Sequence, residues 1–284
     1  MPVQSANIQA IYRYPVKGLS AQALAQTRLS VGATLPADRL YAIENGPSGF
    51  DPSTPAYFPK QRFLMWMRNE RLATLQSSFD EATHTLSICT NGAEAVRGNL
   101  RTAEGRVAIE SFFAEFCAND LRGPPKVLSA PGHSFADMSP DHSFSDVAQK
   151  VVSIINLATV AEVENAAGAP VHPLRFRGNV YVAGWPAWRE FDLIGREIAI
   201  GPQARLKIVR RIRRCAATDV DPDTGIRDLT IPQTLMRAFG HTDCGVYARV
   251  VGMGEIAVGD ALNETQANLP LPIGTSPGTA GESL

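Results

Sequence analysis

The chain is poor in cysteine, with four residues (Cys89, Cys117, Cys215 and Cys244) and no C-x-x-C spacing among them. A disulfide framework or a zinc ribbon needs closer, patterned cysteines, so neither is expected, and free thiols in a reducing compartment are. It lacks net charge: 27 Lys+Arg stand against 28 Asp+Glu, a balance of -1. Bulk nucleic-acid binding needs an excess of cations facing phosphates, so no nucleic-acid partner is expected. Long hydrophobic runs are missing too. The longest uncharged apolar stretch, near Val151–Ala161, falls short of the roughly 20 residues of a membrane span, so no membrane partner is expected. The start, Met1–Ala6, has neither the basic nor the apolar part of a signal peptide. No internal repeat is present. These exclusions predict a cytoplasmic protein. The five histidines show no recognisable motif, so a cysteine hydrolase, which needs a histidine base with an orienting partner, ranks last.

What is there suffices for one large or two ordinary domains, with 44% hydrophobic and 19% charged residues. Alternating β-branched and aromatic residues predict strands at Asn7–Tyr14, Leu24–Leu29, Asp38–Glu44, Ala73–Phe79 and Thr85–Cys89. Asn45–Pro59, rich in Gly, Pro and Ser, predicts a surface loop that could act as a lid. Ile109, Phe112, Phe113 and Phe116 fall at i, i+3, i+4 and i+7, one face of a helix. Ser129–Val147 predicts a solvated polar loop rather than a metal site, despite His133, Asp137, Asp141 and His142. Val151–Ile155 predicts a strand, followed by a helix over Leu157–Ala167 that Gly168 closes. Further strands are expected at Phe176–Ala183, Glu197–Ile200, Arg205–Arg214, Tyr247–Val251 and Glu255–Val258. The tail lacks apolar content. The fold class is mainly β with a few helices (α+β).

One stretch concentrates chemistry. Arg210-Arg-Ile-Arg-Arg-Cys215 holds four arginines in five residues before a cysteine. Buried arginines are costly without an anion, and fixed positive charge favours a thiolate, the form that attacks electrophiles and binds metals. A solvated edge strand with arginines against aggregation explains Arg210 and Arg211 as well, and these two are assigned to solvent. The turn Thr218–Gly225 follows, with Asp221-Pro222 and Thr224-Gly225 suited to a tight bend.

Arg214–Gly225 resembles the R-C-x-x-T-x-V-D-P-x-T-G signature of MOSC domains, named for the C-terminal part of molybdenum cofactor sulfurase. Tyr14-Pro-Val-Lys17 and Asp38-Arg39 resemble motifs of the MOSC N-terminal β-barrel domain. Phe176-Arg-Gly-Asn179 resembles F-R-P-N, and Gly240–Ala248 with Gly254–Asp260 resembles the family's closing strand and hairpin. The resemblance spans about residues 7–262 and includes the amidoxime reducing component group. It implies an N-terminal β-barrel-like domain (1–120), a connecting loop region (121–150) and a MOSC β-barrel domain (151–262) packed on the first; composition predicts a disordered tail (263–284). It implies the molybdenum cofactor (Mo-molybdopterin) as cofactor, with Cys215 as metal ligand and catalytic residue; pyridoxal phosphate is not expected. Lys17, Gly18, Arg39, Arg177, Asn179, Arg213 and Arg214 would contact the pterin and its phosphate, as would Asn156 and Thr159 at a helix start.

The implied activity is reduction of a small N-hydroxylated substrate, with electrons from a separate electron-donor protein and protons from Asp243, His241 or another carboxylate. The alternative is a non-catalytic cofactor-binding or sulfur-carrier module with a persulfide on Cys215. Cys244 is weighed as a second pocket thiol against a tight turn opening the last strand, and the turn is favoured. The chain departs from the family pattern at Gly18, where serine is usual, and at Gly178, where proline is usual. The acidic pair before Trp188 is also missing.

Overall fold

The computed structural model describes residues 5–136 and 150–265. Its strands are β1 (Ala6–Arg13), β2 (Gln22–Leu24), β3 (Gln26–Leu29), β4 (Ala42–Asn45), β5 (Gln76–Asp80), β6 (Thr85–Thr90), β7 (Ala93–Asn99) and β8 (Pro125–Leu128), then β9 (Val152–Asn156), β10 (Val180–Ala183), β11 (Glu197–Ile200), β12 (Ala204–Arg213), β13 (Asp243–Gly252), β14 (Gly254–Ala257) and β15 (Ala261–Glu264). The helices are α1 (Ala103–Phe116), α2 (Leu157–Ala167), α3 (Arg189–Asp192) and α4 (Ile231–Phe239). The mainly-β class is what the alternating patterns require.

Seven strands close a barrel in the order β10-β9-β13-β12-β11-β15-β1, and β1 returns to β10 while β2 adds to its outer edge. Along β1 Ala6 and Ile8 turn inward; an irregularity between Ile8 and Ala10 then shifts the alternation, so that Ile11 is the next inward residue, and all three meet Ile154, Val180, Leu206, Ile208 and Val246. Closure removes the exposed edges that an open sheet would leave. The first strand of the chain therefore belongs to the barrel that the C-terminal half builds, and β3 pairs with β14 as well. The division of the chain at 120 is a division of sequence; in space its beginning is built into its end.

The rest of the N-terminal half holds a β5-β6-β7 meander with α1 across it, and a β4–β8 ladder. Thr102 caps α1 through a 3.0 Å bond from the Gly105 N–H, a contribution of about 1 kcal/mol. Ile109 and Phe113 bury that helix against Leu86, Ile88 and Leu100. β8 lies inside the region expected to be a connecting loop. The last strand runs to Glu264, two residues beyond the expected end at 262. Residues 266–284, most of the expected disordered tail, lie outside the described residues, as do Asp137, Asp141 and His142.

The loop expected as a lid is pinned. The buried Glu44 carboxylate accepts from the Ser48 amide and hydroxyl. Phe50 packs at tilted and edge-on angles against Phe58, His133 and Phe135, at centroid distances of 5.9, 5.4 and 5.1 Å. His133 is thus half-buried in an aromatic cluster, and burial lowers its pKa. Among the described residues no helix is long and apolar enough to cross a membrane.

Candidate functional site

β12 carries the arginine run. Its register shifts between Ile208 and Arg210 and again between Arg211 and Arg213, so strict alternation breaks where the cations begin. Arg210 is half-buried, with its guanidinium 5.8 Å from the Tyr247 ring, which corrects its assignment to solvent. Arg211 is exposed, yet its guanidinium covers the Phe191 ring at 4.2 Å.

Cys215 follows the end of β12. Its carbonyl accepts from the Thr218 amide at 3.0 Å and the Thr218 hydroxyl at 2.9 Å, closing a 3-10 turn over Ala216–Asp219. The half-buried thiol opens where two pockets meet. One is lined by Asp38, Arg39, Arg175, Arg177, Asn179, Arg213 and Arg214; the other includes Lys17, Gly18, Met65 and Trp66. Arg39, Lys60, Arg177 and Cys215 line both. Eight of the expected site residues therefore converge: Lys17, Gly18, Arg39, Arg177, Asn179, Arg213, Arg214 and Cys215. Both halves of the chain supply them.

Their polar atoms are not equally available. Arg214 donates through Nε and Nη2 to the Cys244 carbonyl and through Nη1 to the Phe176 carbonyl at 2.8 Å. Its fork clasps two backbone segments together. The Asn179 amide is committed too: Nδ2 donates to the Tyr12 carbonyl at 3.1 Å, while Oδ1 accepts from the Ser153 amide and hydroxyl. Arg177, at φ 48, lies between the Tyr14 and Trp66 rings, 4.4 Å from each centroid, and donates to the Leu19 carbonyl. Arg39 pairs with the buried Asp38 and its guanidinium also lies over the Tyr14 ring, at 4.8 Å. Burial raises the Tyr14 phenol, against the lowering influence of Arg177 and Arg39. Lys17 is buried, with Nζ 2.9 Å from the Phe135 carbonyl.

Asn156, Thr159 and Asp243 are not among the described residues lining this cleft. Asn156 caps α2 through the Ala158 amide, as a residue before a helix can, and Gly168 closes that helix at φ 69. The Asn156 amide and Thr159 hydroxyl donate to Glu190 Oε2 at 2.9 and 3.0 Å, all three side chains being buried. Burial raises the Glu190 carboxyl. His241, the other expected proton source, sits in an aromatic cluster with Trp188, Phe191 and Phe239. Cys244 is fully buried as the second residue of β13 and lies outside the cleft lining, and its thiol is pushed up to about 12, chiefly by burial.

Two cleft residues escaped the sequence reading. Arg175 stands beside the F-R-G-N motif and is fully buried. It donates to the Asp219 carbonyl and pairs with Asp221 and Asp228, so it anchors the turn after Cys215. Lys60 ends the Pro-rich loop, and its Nζ lies 3.0 Å from Cys215 Sγ. No periodicity marks a lysine at the end of a loop. Arg227 adds a further tie across the two halves, donating to the carbonyls of Ala216, Trp66 and Met67.

The glycines that depart from the family pattern have steric causes. Gly18 stands at φ +83, and a Cβ there would come within 2.5 Å of the Leu64 carbonyl oxygen. A Cβ on Gly178 would come within 2.3 Å of Ile155 Cγ1, so the isoleucine fills the room that a proline ring would need.

Residues 5–120 match the MOSC N-terminal beta barrel domain, and residues 136–263 match the MOSC domain. Mitochondrial amidoxime reducing component 2 of Bos taurus is 29% identical over 125 residues, a match covering 39% of this chain and 36% of that protein. The matched segment is thus about a third of the relative's length. Among solved structures, the YuaD protein from Bacillus subtilis has a TM-score of 0.42 at 13% identity, covering 92% of this chain and 97% of that one. YiiM from Geobacillus stearothermophilus has a TM-score of 0.33 at 19% identity, covering 42% and 56%.

Proposed function

We propose, from the premise that this chain belongs to the MOSC family, that it is a molybdenum-cofactor-binding oxidoreductase acting on N-hydroxylated small molecules. Its electrons come from a separate donor protein. The observation that carries the reading is the position of Cys215, a thiol at the junction of two pockets lined by Lys17, Arg39, Lys60 and Arg213. This donor set fits the cofactor. A thiolate is a soft ligand suited to molybdenum, and ammonium and guanidinium groups suit a phosphate. The substrate class rests on the name of the bovine relative, an amidoxime reducing component.

In this reading Cys215 holds the metal, and Lys17, Arg39 and Arg213 face the pterin phosphate. Arg214 and Asn179 hold the wall in shape through the backbone bonds already described, and Arg177 forms part of that wall from between its two aromatic rings. When bound, the cofactor would supply the two-electron chemistry that reducing an N-hydroxylated substrate requires. The chain's task is to orient cofactor and substrate.

Metal and pterin analysis of protein from a cofactor-competent host tests the reading, followed by reduction of a hydroxylamine compound with an artificial electron donor. Stoichiometric molybdenum that disappears in Cys215→Ala supports it. Full molybdenum in that variant overturns the ligand assignment. A second reading, a sulfur carrier, is favoured by the partial exposure of Cys215 beside a lysine. A mass increase of one sulfur atom on Cys215, with no reductase activity, would select it.

A further inference from the structure

We infer that Lys60 tunes the metal that Cys215 would hold, by donating a hydrogen bond to the ligating sulfur; the inference rests on the cofactor reading above. Lys60 Nζ is 3.0 Å from Cys215 Sγ, and Lys60 lines both pockets that meet at the thiol. The lysine backbone is fixed. Its carbonyl accepts from the Phe63 amide at 3.1 Å, the Leu64 amide donates to the Ile43 carbonyl at 2.8 Å, and Arg122 donates to the Gln61 carbonyl at 2.7 Å. Phe63 in turn packs on Phe135 at 5.4 Å. Lys60 is therefore presented to the sulfur by a built element and not by a wandering loop.

A thiolate bound to a metal keeps lone pairs that can still accept from an ammonium group. A hydrogen bond and a positive charge at that sulfur draw electron density away from the metal. This weakens the ligand's donation and favours the reduced state, as hydrogen bonds to ligating sulfurs do in other metal centres. Lys60 belongs to the N-terminal half of the chain and Cys215 to the C-terminal half. The N-terminal half thus sets the redox behaviour of a metal whose protein ligand lies in the other. Lys60 is a positioning and tuning residue, acting through Cys215.

The test uses the full chain loaded with cofactor, as wild type, K60M, K60R and a second neutral variant, K60Q. Molybdenum content and the midpoint potential, followed by EPR in a redox titration, are measured on each. K60M and K60Q should keep their molybdenum and show a lower midpoint potential, and K60R should recover part of the shift. Neutral variants with the wild-type potential overturn the inference and leave the cofactor reading standing. Neutral variants that lose molybdenum while K60R holds it also overturn it, because Lys60 then retains the cofactor without tuning it. Wild-type protein without molybdenum overturns the cofactor reading and this inference with it.

Discussion

Arg175 Nη2 stands 3.0 Å from Asp221 Oδ2, and that ion pair ties the turn after Cys215 to the turn that precedes Arg177. The guanidinium is fully buried and also meets Asp228 at 2.7 Å. Asp221 and Asp228 keep 19% and 44% of their side-chain exposure, so solvent compensates them in part when the buried arginine is removed. Arg175→Met should destabilise the fold by about 2 kcal/mol, read from urea unfolding midpoints. A loss below about 1 kcal/mol, the size of a surface pair, would show that the turn holds without this anchor.

Asp221 gives the same turn a pH dependence. Burial would raise its carboxyl. The amides of Thr224 and Asp223, the Thr224 hydroxyl and Arg175 together hold it below the usual carboxylate range. A depressed folded pKa contributes stability that is present above the unfolded value, about 3.9, and is lost as pH falls through the folded value. Wild type should lose stability on acidification in that window. Asp221→Asn should be weaker at pH 7 and flatter below about pH 4; a variant with the wild-type acid profile would assign the effect to another carboxylate.

Much of this architecture was legible because local rules and tertiary structure agree. Asn156 and Gly168 bound α2 as an N-cap and a left-handed C-cap should, and alternation marks the buried face of β1 as far as Ile8, where an irregularity shifts it. The cleft was legible from motif order, which assembled Cys215 with Lys17, Arg39 and Arg177. Three things were not. No helix was expected over α4, which begins with Ile231-Pro232, although proline is an acceptable first-turn residue. The closure of β1 on β10 and β15 joins positions more than 160 residues apart, beyond any window of periodicity. The contact of Lys60 with Cys215 depends on how the two halves pack, and no residue pattern encodes it.

Gly18 tests whether the departure from the family's serine is forced. With φ +83 and the Leu64 carbonyl at 2.5 Å from a built Cβ, any side chain meets both backbone strain and a backbone clash. Gly18→Ser should cost about 2 kcal/mol and lower the thermal midpoint. An unchanged melting temperature would mean that the Leu64 segment yields freely, and that the glycine is incidental.

Glu190 predicts the opposite pH behaviour from Asp221. Its carboxyl is raised by burial, with the bonds from Asn156 and Thr159 only partly offsetting that. A raised folded pKa contributes stability that is full below the unfolded value, about 4.3, and is lost as pH rises through the folded value. Glu190→Gln keeps an acceptor for both donors and removes the ionisation. Its unfolding midpoint should be insensitive to pH across the interval where wild type declines, and at pH 8 it should be at least as stable. Parallel wild-type and variant curves between pH 5 and 8 would show that Glu190 is ionised without cost.

The four thiols should separate cleanly in native protein. Cys244 is fully buried, with its thiol pushed up to about 12, and Cys117 is buried, with its thiol raised to about 11; burial is the main cause in both. Thiolate is the reactive form, so both should stay unlabelled by iodoacetamide near pH 7.5 and react only on unfolding. Cys215 and Cys89 are partly exposed and should be modified first, with Cys215 assigned by peptide mass. Cofactor loading should protect Cys215 alone, since the other three lie outside the cleft lining. Labelling of Cys244 ahead of Cys215 would mean that β13 opens before the cleft does, and that the clasp of Arg214 on the Cys244 carbonyl is weaker than its two bonds imply.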